Sequence, residues 1–187
     1  MYWLLQNYMS VKVLDNFLND EDIARLEKNA EAFELEQGGA AQGDTEEVYR
    51  SSDIKWLHAN EDTRWLYEKL ANFVVPANMS GFGKQLYFIE PLQYSIYNSE
   101  ENGHYKAHYD DKDFMGGYRR KLSFTIQLSD EEDYEGGDLS IFCPEKRSVK
   151  KTKGTIALFD ADLLHEVEPV TKGTRKALVG WFVGPNV

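Results

Sequence analysis

From Gln85 onward, short runs rich in Tyr, Phe, Ile and Val are separated by turn signals at Asn98-Ser99, Gly116-Gly117, Gly136-Gly137 and Gly173. This texture constrains the fold more than any other feature of the sequence. Runs of this length bounded by Gly and Asn read as β-strands. In the clearest of them Leu122, Phe124, Ile126 and Leu128 alternate with Ser123, Thr125 and Gln127, a period of two that gives the strand one apolar and one polar face. The first half of the chain reads differently. Asn19 followed by Asp20, Glu21 and Asp22 is an N-cap with acids in the first helical turn. Ile23, Leu26, Ala30 and Phe33 then recur at helical spacing, with Gly38-Gly39 as the stop. A short strand is expected around Ser51 to Leu57. A second helix starts near Asn60 or Asp62, carries Leu66, Leu70, Phe73 and Val74 on one face, and is broken by Pro76 and Gly81. Helices first and some eight strands afterwards predict an α+β, mainly β architecture: an antiparallel barrel or double-sheet jelly roll with the helices packed outside it. The 187 residues suit a single domain, with helical support over about 1–84 and a β core over about 85–187.

Composition narrows the function classes. Hydrophobic residues at 42% and charged residues at 28% exclude general disorder. A net charge of -11 argues against nucleic acid as the main partner, since phosphate binding needs clustered Lys and Arg; a local basic patch such as Arg119-Arg120-Lys121 can still steer an anion. Cys143 is the only cysteine, which leaves no disulfide framework or Cys-based zinc site within one chain and suits a reducing, cytoplasmic setting. No stretch approaches the roughly 20 apolar residues that span a bilayer. The start, Met1 to Asn7, lacks the basic region of a signal peptide, and its apolar Tyr2-Trp3-Leu4-Leu5 suits an edge strand or an interface.

The local chemistry is strongest at Gly103-His104-Tyr105-Lys106-Ala107-His108-Tyr109-Asp110. Residues two apart on a strand face the same way, so an imidazole from His108 and a carboxylate from Asp110 project side by side. A cation fits between them. Asp160-Ala-Asp-Leu-Leu-His165 supplies a further histidine just after the apolar strand Gly154 to Phe159. Two histidines and one carboxylate can leave three metal positions open, as in non-haem iron(II) oxygenases, although zinc hydrolases use the same donors. Arg175 opens an otherwise apolar strand. Its guanidinium can fork onto a ligand carboxylate or pair with an acidic residue on the rim.

From about Pro91 to Pro185 the chain resembles the prolyl 4-hydroxylase-like branch of the 2-oxoglutarate and iron(II)-dependent oxygenases, including bacterial and phage proteins of that type. The matching segments are Leu92 to Tyr97, Tyr105 to Asp110, Arg120 to Asp130, Asp133 to Leu139, Gly154 to Phe159 and His165 to Trp181, in the family's order and with compatible spacing. The resemblance implies a double-stranded β-helix, that is, a jelly roll. It implies iron held by His108, Asp110 and His165, and the C5 carboxylate of 2-oxoglutarate on Arg175, with Tyr97 and Gln127 as further co-substrate contacts. Ser123, Thr125 and Gln127 would then face the site. Dioxygen is the second co-substrate and ascorbate the reductant. The reaction would release succinate and carbon dioxide and hydroxylate a C–H bond, first of all in a prolyl residue of a peptide or protein, with other amino-acid side chains and small molecules as alternatives. The carboxylate at Asp110 favours hydroxylation over halogenation, which leaves that position to chloride. A jelly roll that binds metal without turnover is the rival reading.

The remaining eye-catching residues have ordinary expectations. His58 and His104 read as surface or turn histidines, Tyr105, Tyr109 and Trp181 as packing around the site, and Cys143 as a small hydrophobe. Asp130-Glu-Glu-Asp133 reads as a solvated loop. The glycine-containing segments Gly38 to Asp44 and Asp111 to Tyr118 are candidate lids.

Overall fold

The computed structural model describes residues 10–38, 48–114 and 116–186. The chain begins with β1 (Val11–Leu14), α1 (Asp20–Ala30), β2 (Glu36–Gln37), β3 (Arg50–Ser51), β4 (Asp53–Leu57) and α2 (Arg64–Ala77). It continues through β5 (Phe88–Ile89), β6 (Leu92–Asn98), β7 (His104–His108), β8 (Asp113–Phe114) and β9 (Tyr118–Gln127). The last part holds β10 (Tyr134–Gly136), β11 (Leu139–Phe142), β12 (Lys146–Ser148), β13 (Ile156–Asp160), β14 (His165–Val167) and β15 (Val170–Pro185).

These strands form two antiparallel sheets. The larger runs β1-β13-β9-β15-β6-β4-β2, and the smaller runs β12-β11-β14-β7-β3. The result is the mainly β jelly roll with helical support that the sequence predicts. Strand β9 shows how the layers are divided. Its apolar face, Leu122, Phe124 and Ile126, is fully buried in one core with Leu66, Leu70 and Val74 of α2 and Ile23 and Leu26 of α1, so the helices cover the outer side of the larger sheet. Its polar face, Ser123, Thr125 and Gln127, is buried as well, on the side of the smaller sheet. There a second cluster of Tyr97, Tyr134, Leu139, Val167 and Val170 joins the sheets. Leu70→Ala should therefore cost about 2–5 kcal/mol, because it opens a cavity in the helix-facing core without touching the polar side. Urea unfolding measures this, and a loss below about 1 kcal/mol would contradict the packing.

Several boundaries differ from expectation for local reasons. Asn19 caps α1 as predicted: its Oδ1 accepts from the Asp22 amide at 2.8 Å, and its own amide donates back to Asp22 Oδ2 at 3.3 Å. The helix stops at Ala30, however, where Lys55 Nζ donates to the Ala30 carbonyl at 2.8 Å. Phe33 lies beyond the helix yet packs against the same core, and Glu36–Gln37 pairs with β4. The Asn60 signal is a turn that leads into α2: its Oδ1 accepts from the amides of Asp62 and Thr63, both at 3.0 Å, while Thr63 occupies the cap position. Pro76 does not break the pattern. It sits in the last turn of α2, and the chain then widens into a π-turn at Asn78–Phe82 that Gly83 closes at φ 64°. The predicted strand from Gly154 begins only at Ile156, since Gly154, at φ 78°, passes so close to Leu18 that a Cβ would lie 2.0 Å from its carbonyl oxygen.

Tyr2 to Leu5 and most of the expected lid Gly38 to Asp44 fall outside the described residues. The second expected lid is partly strand. Asp113–Phe114 pairs with β9, and Arg119 Nη2 donates to the Asp111 carbonyl at 3.0 Å and to its carboxylate at 2.8 Å. Among the described residues no helix is long and apolar enough to cross a membrane.

Candidate metal centre

Strand β7 ends at His108, so Asp110 lies two residues past it, held extended by its amide donating to the Ala161 carbonyl at 2.9 Å. The alternation survives the strand end: His108 and Asp110 are buried while Tyr109 points to solvent. His165 opens β14 and is paired directly opposite His108. The antiparallel register thus sets the two imidazoles side by side, with ring centroids 4.2 Å apart. One ligand atom from each of His108, Asp110 and His165 lies within 4.8 Å of the others.

Each histidine is oriented from behind. Nδ1 of His108 is 2.7 Å from the Lys106 carbonyl and Nδ1 of His165 is 2.9 Å from the Leu163 carbonyl. With Nδ1–H donating to a carbonyl, Nε2 carries the lone pair, and this is the nitrogen turned toward Asp110 in both rings. The separations are 3.6 Å from His108 to Oδ1 and 3.3 Å from His165 to Oδ2. Ser123 donates to Asp110 Oδ2 at 2.9 Å. Burial alone would raise the Asp110 pKa, but the charge and hydrogen bonding of His165, with the charge of His108, hold it well below the carboxylate range. Burial pushes His108 down to about 4, helped by the charge of His165. Burial also lowers His165, but the Asp110 charge and hydrogen bond more than offset it, so its pKa is raised.

The three donors line a cavity of about 160 Å³ between the sheets, with Tyr97, Tyr105, Thr125 and Trp181 among its walls. Arg175 is 2% exposed, and its guanidinium lies 5.3 Å from the centroid of the Tyr97 ring. It opens onto a narrow recess shared with Thr125, Gln127, Tyr134 and Leu139. Thr125 and Leu139 line both spaces, so the recess adjoins the metal-side cavity. Arg175 Nη1 is buried without a hydrogen-bond partner. The burial of Arg175 sets it away from the rim and no acidic residue pairs with it among the described residues, and the orphaned donor fits a carboxylate at the far end of a bound acid. A larger depression of about 460 Å³, lined by Asn102, His104, Lys106 and Glu168, contains none of the three clustered donors.

Tyr97 thus lies beside Arg175, and Gln127 reaches the same recess, where its Nε2 donates to the Tyr134 hydroxyl at 2.9 Å. Among the histidines, His58 is exposed as expected, but His104 is not a surface or turn residue. It is buried in β7 with Nδ1 2.7 Å from the Asn102 carbonyl and Nε2 3.1 Å from that of Val48, because the edge pairing with β3 covers it. Trp181 packs near the site, and its buried Nε1 makes no well-formed hydrogen bond although it sits close enough to Asp110 to influence its carboxylate. Residues 130–133 are exposed as predicted. Sequence reasoning missed Tyr134, which stands in the quoted segment Asp133 to Leu139, and Arg50, which carries no local signal.

A family model described as the 2OG-Fe(II) oxygenase superfamily matches residues 92–183. A PKHD-type hydroxylase of Crocosphaera subtropica is 33% identical over 179 residues, covering 91% of this chain and 77% of that protein. Two solved structures share the fold. A prolyl-4-hydroxylase of Pseudomonas putida aligns with TM-score 0.70 at 22% identity, over 92% of this chain and 91% of that one. A prolyl hydroxylase of Trichoplax adhaerens, in complex with a peptide fragment of the hypoxia inducible factor oxygen degradation domain, aligns with TM-score 0.76 at 17% identity, over 94% and 84%. The family model, the clustered donors and the relative matched over 91% of this chain agree on the class, a 2-oxoglutarate-dependent dioxygenase. The chain belongs to the 2OG-Fe(II) oxygenase superfamily.

Proposed function

We propose that His108, Asp110 and His165 hold the ferrous ion, that Arg175 anchors the C5 carboxylate of 2-oxoglutarate beside Tyr97 and Gln127, and that the enzyme hydroxylates a C–H bond in a prolyl or other amino-acid residue of a peptide or protein. The single observation that carries this reading is the buried, unpartnered Arg175 Nη1 in a recess that adjoins the three-donor cavity across Thr125 and Leu139. When bound, iron, 2-oxoglutarate and dioxygen supply an oxidant strong enough for an unactivated C–H bond, with succinate and carbon dioxide released and ascorbate keeping the iron reduced.

The protein's own part is positional. The Lys106 and Leu163 carbonyls fix the tautomer and tilt of the two imidazoles, and Ser123 fixes one oxygen of Asp110. The apolar flanks Leu139, Val167 and Val179 limit water around the reacting centre. Tyr105 stacks on His108 at a centroid distance of 3.5 Å and 15° between planes, and burial pushes its hydroxyl up to about 12, which keeps it neutral while it holds the ring. The single cysteine suits a reducing, cytoplasmic setting.

Proline-containing peptides incubated with the iron-loaded enzyme, 2-oxoglutarate and air should gain one oxygen by mass spectrometry. Oxygen found only on non-prolyl residues would retain the hydroxylase and reject the prolyl substrate. Metal binding should also depend on pH in a stated direction. Iron needs the Nε2 lone pair of His165, whose pKa is raised by Asp110, so acidification through that value puts a proton where the metal must sit. Affinity for Mn(II) should fall about tenfold per pH unit below it, with His108 joining only near pH 4. A flat affinity between about pH 8 and pH 5.5 would contradict the assignment of His165.

A further inference from the structure

Two guanidinium groups, those of Arg50 and Arg120, line the cavity around His108, Asp110 and His165, and the first is contributed by the smaller sheet. Arg50 opens β3, the edge strand, opposite Tyr105 of β7. Its Nε donates to Ser52 Oγ at 2.7 Å, and its guanidinium lies 4.7 Å from the centroid of the Tyr105 ring, the ring that stacks on His108. Its charge is felt at His108. Nη2 is buried and has no hydrogen-bond partner. The side chain is therefore fixed at Nε and across its face, with a donor left over in the wall of the metal-side cavity.

The charges lining that cavity show what the spare donor is for. Among the described residues Asp110 is the only carboxylate that lines it, and on the reading above it faces iron. The ferrous ion, Asp110, the 2-oxoglutarate dianion and Arg175 together sum to zero. Arg120 is already in a two-pronged pair with Glu90 at 2.7 and 2.8 Å. Arg50 and the exposed Lys112 remain, two cations on the wall of a protein whose net charge is -11. An amide carbonyl on the substrate would satisfy the Nη2 hydrogen but leave the half-buried charge uncompensated. A carboxylate satisfies both.

We propose that Arg50 is a specificity-determining residue that binds a carboxylate of the primary substrate, with Lys112 at the mouth reinforcing the same charge. The substrate class is then an amino acid or peptide bearing a free carboxylate close to the C–H bond attacked, whether a C-terminal carboxylate or an acidic side chain. This rests on the iron and 2-oxoglutarate reading of the site.

The test uses the full chain loaded with Mn(II) and N-oxalylglycine, an unreactive stand-in for 2-oxoglutarate, and measures peptide binding by calorimetry or ligand-observed NMR. One pair of ligands is acetyl-Ala-Pro-Ala with a free C-terminus and its C-terminal amide; the other is the amide-capped acetyl-Pro-Glu and acetyl-Pro-Gln. The acid of at least one pair should bind about tenfold or more tightly than its neutral partner, and the pair that discriminates identifies the source of the carboxylate. Arg50→Met should bring that ratio to about one, and Arg50→Lys, which keeps the charge but loses the fork, should retain part of it. Far-UV circular dichroism and melting temperature check that both variants are folded, and either variant alone suffices. Equal or undetectable binding of acid and neutral partner in both pairs, or a ratio unchanged in Arg50→Met, would overturn the proposal. N-oxalylglycine binding to the Mn(II)-loaded wild type separates the two levels: its failure sinks the site reading itself, whereas its success without acid preference sinks only the role of Arg50.

Discussion

Replacing Arg175 by Met is expected to weaken 2-oxoglutarate binding about a hundredfold or more and, at the same time, to raise the melting temperature of the ligand-free protein. Both effects follow from one observation. The guanidinium is 2% exposed and Nη1 has no partner, so in the ligand-free protein a charge is buried with incomplete compensation. Met has a similar length and no polar atoms to desolvate; exchanges of this kind at buried charges are often stabilising by about 1–4 kcal/mol. With the co-substrate present the sign reverses, because a charge-assisted fork to a carboxylate is lost where no water can replace it. Calorimetric titration of the Mn(II)-loaded variant and thermal melting of the free protein read the two effects separately. A lower melting temperature in the free variant would mean that the guanidinium is satisfied without ligand, and would remove the main support for a carboxylate at that place.

His165→Ala is expected to abolish metal retention and to reduce 2-oxoglutarate turnover about a thousandfold or more, while the fold survives. His165 and His108 are the paired residues of β14 and β7, so deleting one leaves only two donors from the cluster. The comparison that gives this weight is Ser123→Ala, which removes only the hydroxyl that donates to Asp110 and leaves all three donors; it should cost about 10–100-fold. Metal content by atomic spectroscopy and succinate yield would reveal the order. Equal losses in the two variants would show that turnover depends on the polar network rather than on ligation.

Much of this was legible in the residues because period two survives folding. The alternation in Leu122 to Leu128 announced two chemically distinct faces, and both were used: the apolar one under the helices, the polar one toward the site. His108 and Asp110 were found the same way, even though the strand itself ends between them. What one strand cannot announce is its neighbour. That His165 faces His108 is a fact of antiparallel register across a separation of 57 positions, and only the family resemblance tied the two together beforehand. Arg50 was invisible for the same reason, since its surroundings are Tyr105 and His108 on the adjacent strand, not its own sequence context. His104 misled because histidine near a turn is commonly exposed, whereas here the edge strand β3 closes over it. Phe33 and Pro76 misled in the opposite direction, as local helix rules met strand pairing at Glu36–Gln37 and a π-turn at Asn78–Phe82.

The most direct test of the account is succinate formation from 2-oxoglutarate by the purified protein under air, with ferrous iron and ascorbate, beside the His165→Ala and Arg175→Met variants. Iron-dependent succinate from the wild type that falls to background in His165→Ala, and recovers only at far higher 2-oxoglutarate concentration in Arg175→Met, is the result this account predicts. Succinate formed equally by all three proteins, or by none of them under conditions in which proline-containing and acidic peptides are also supplied, would contradict it.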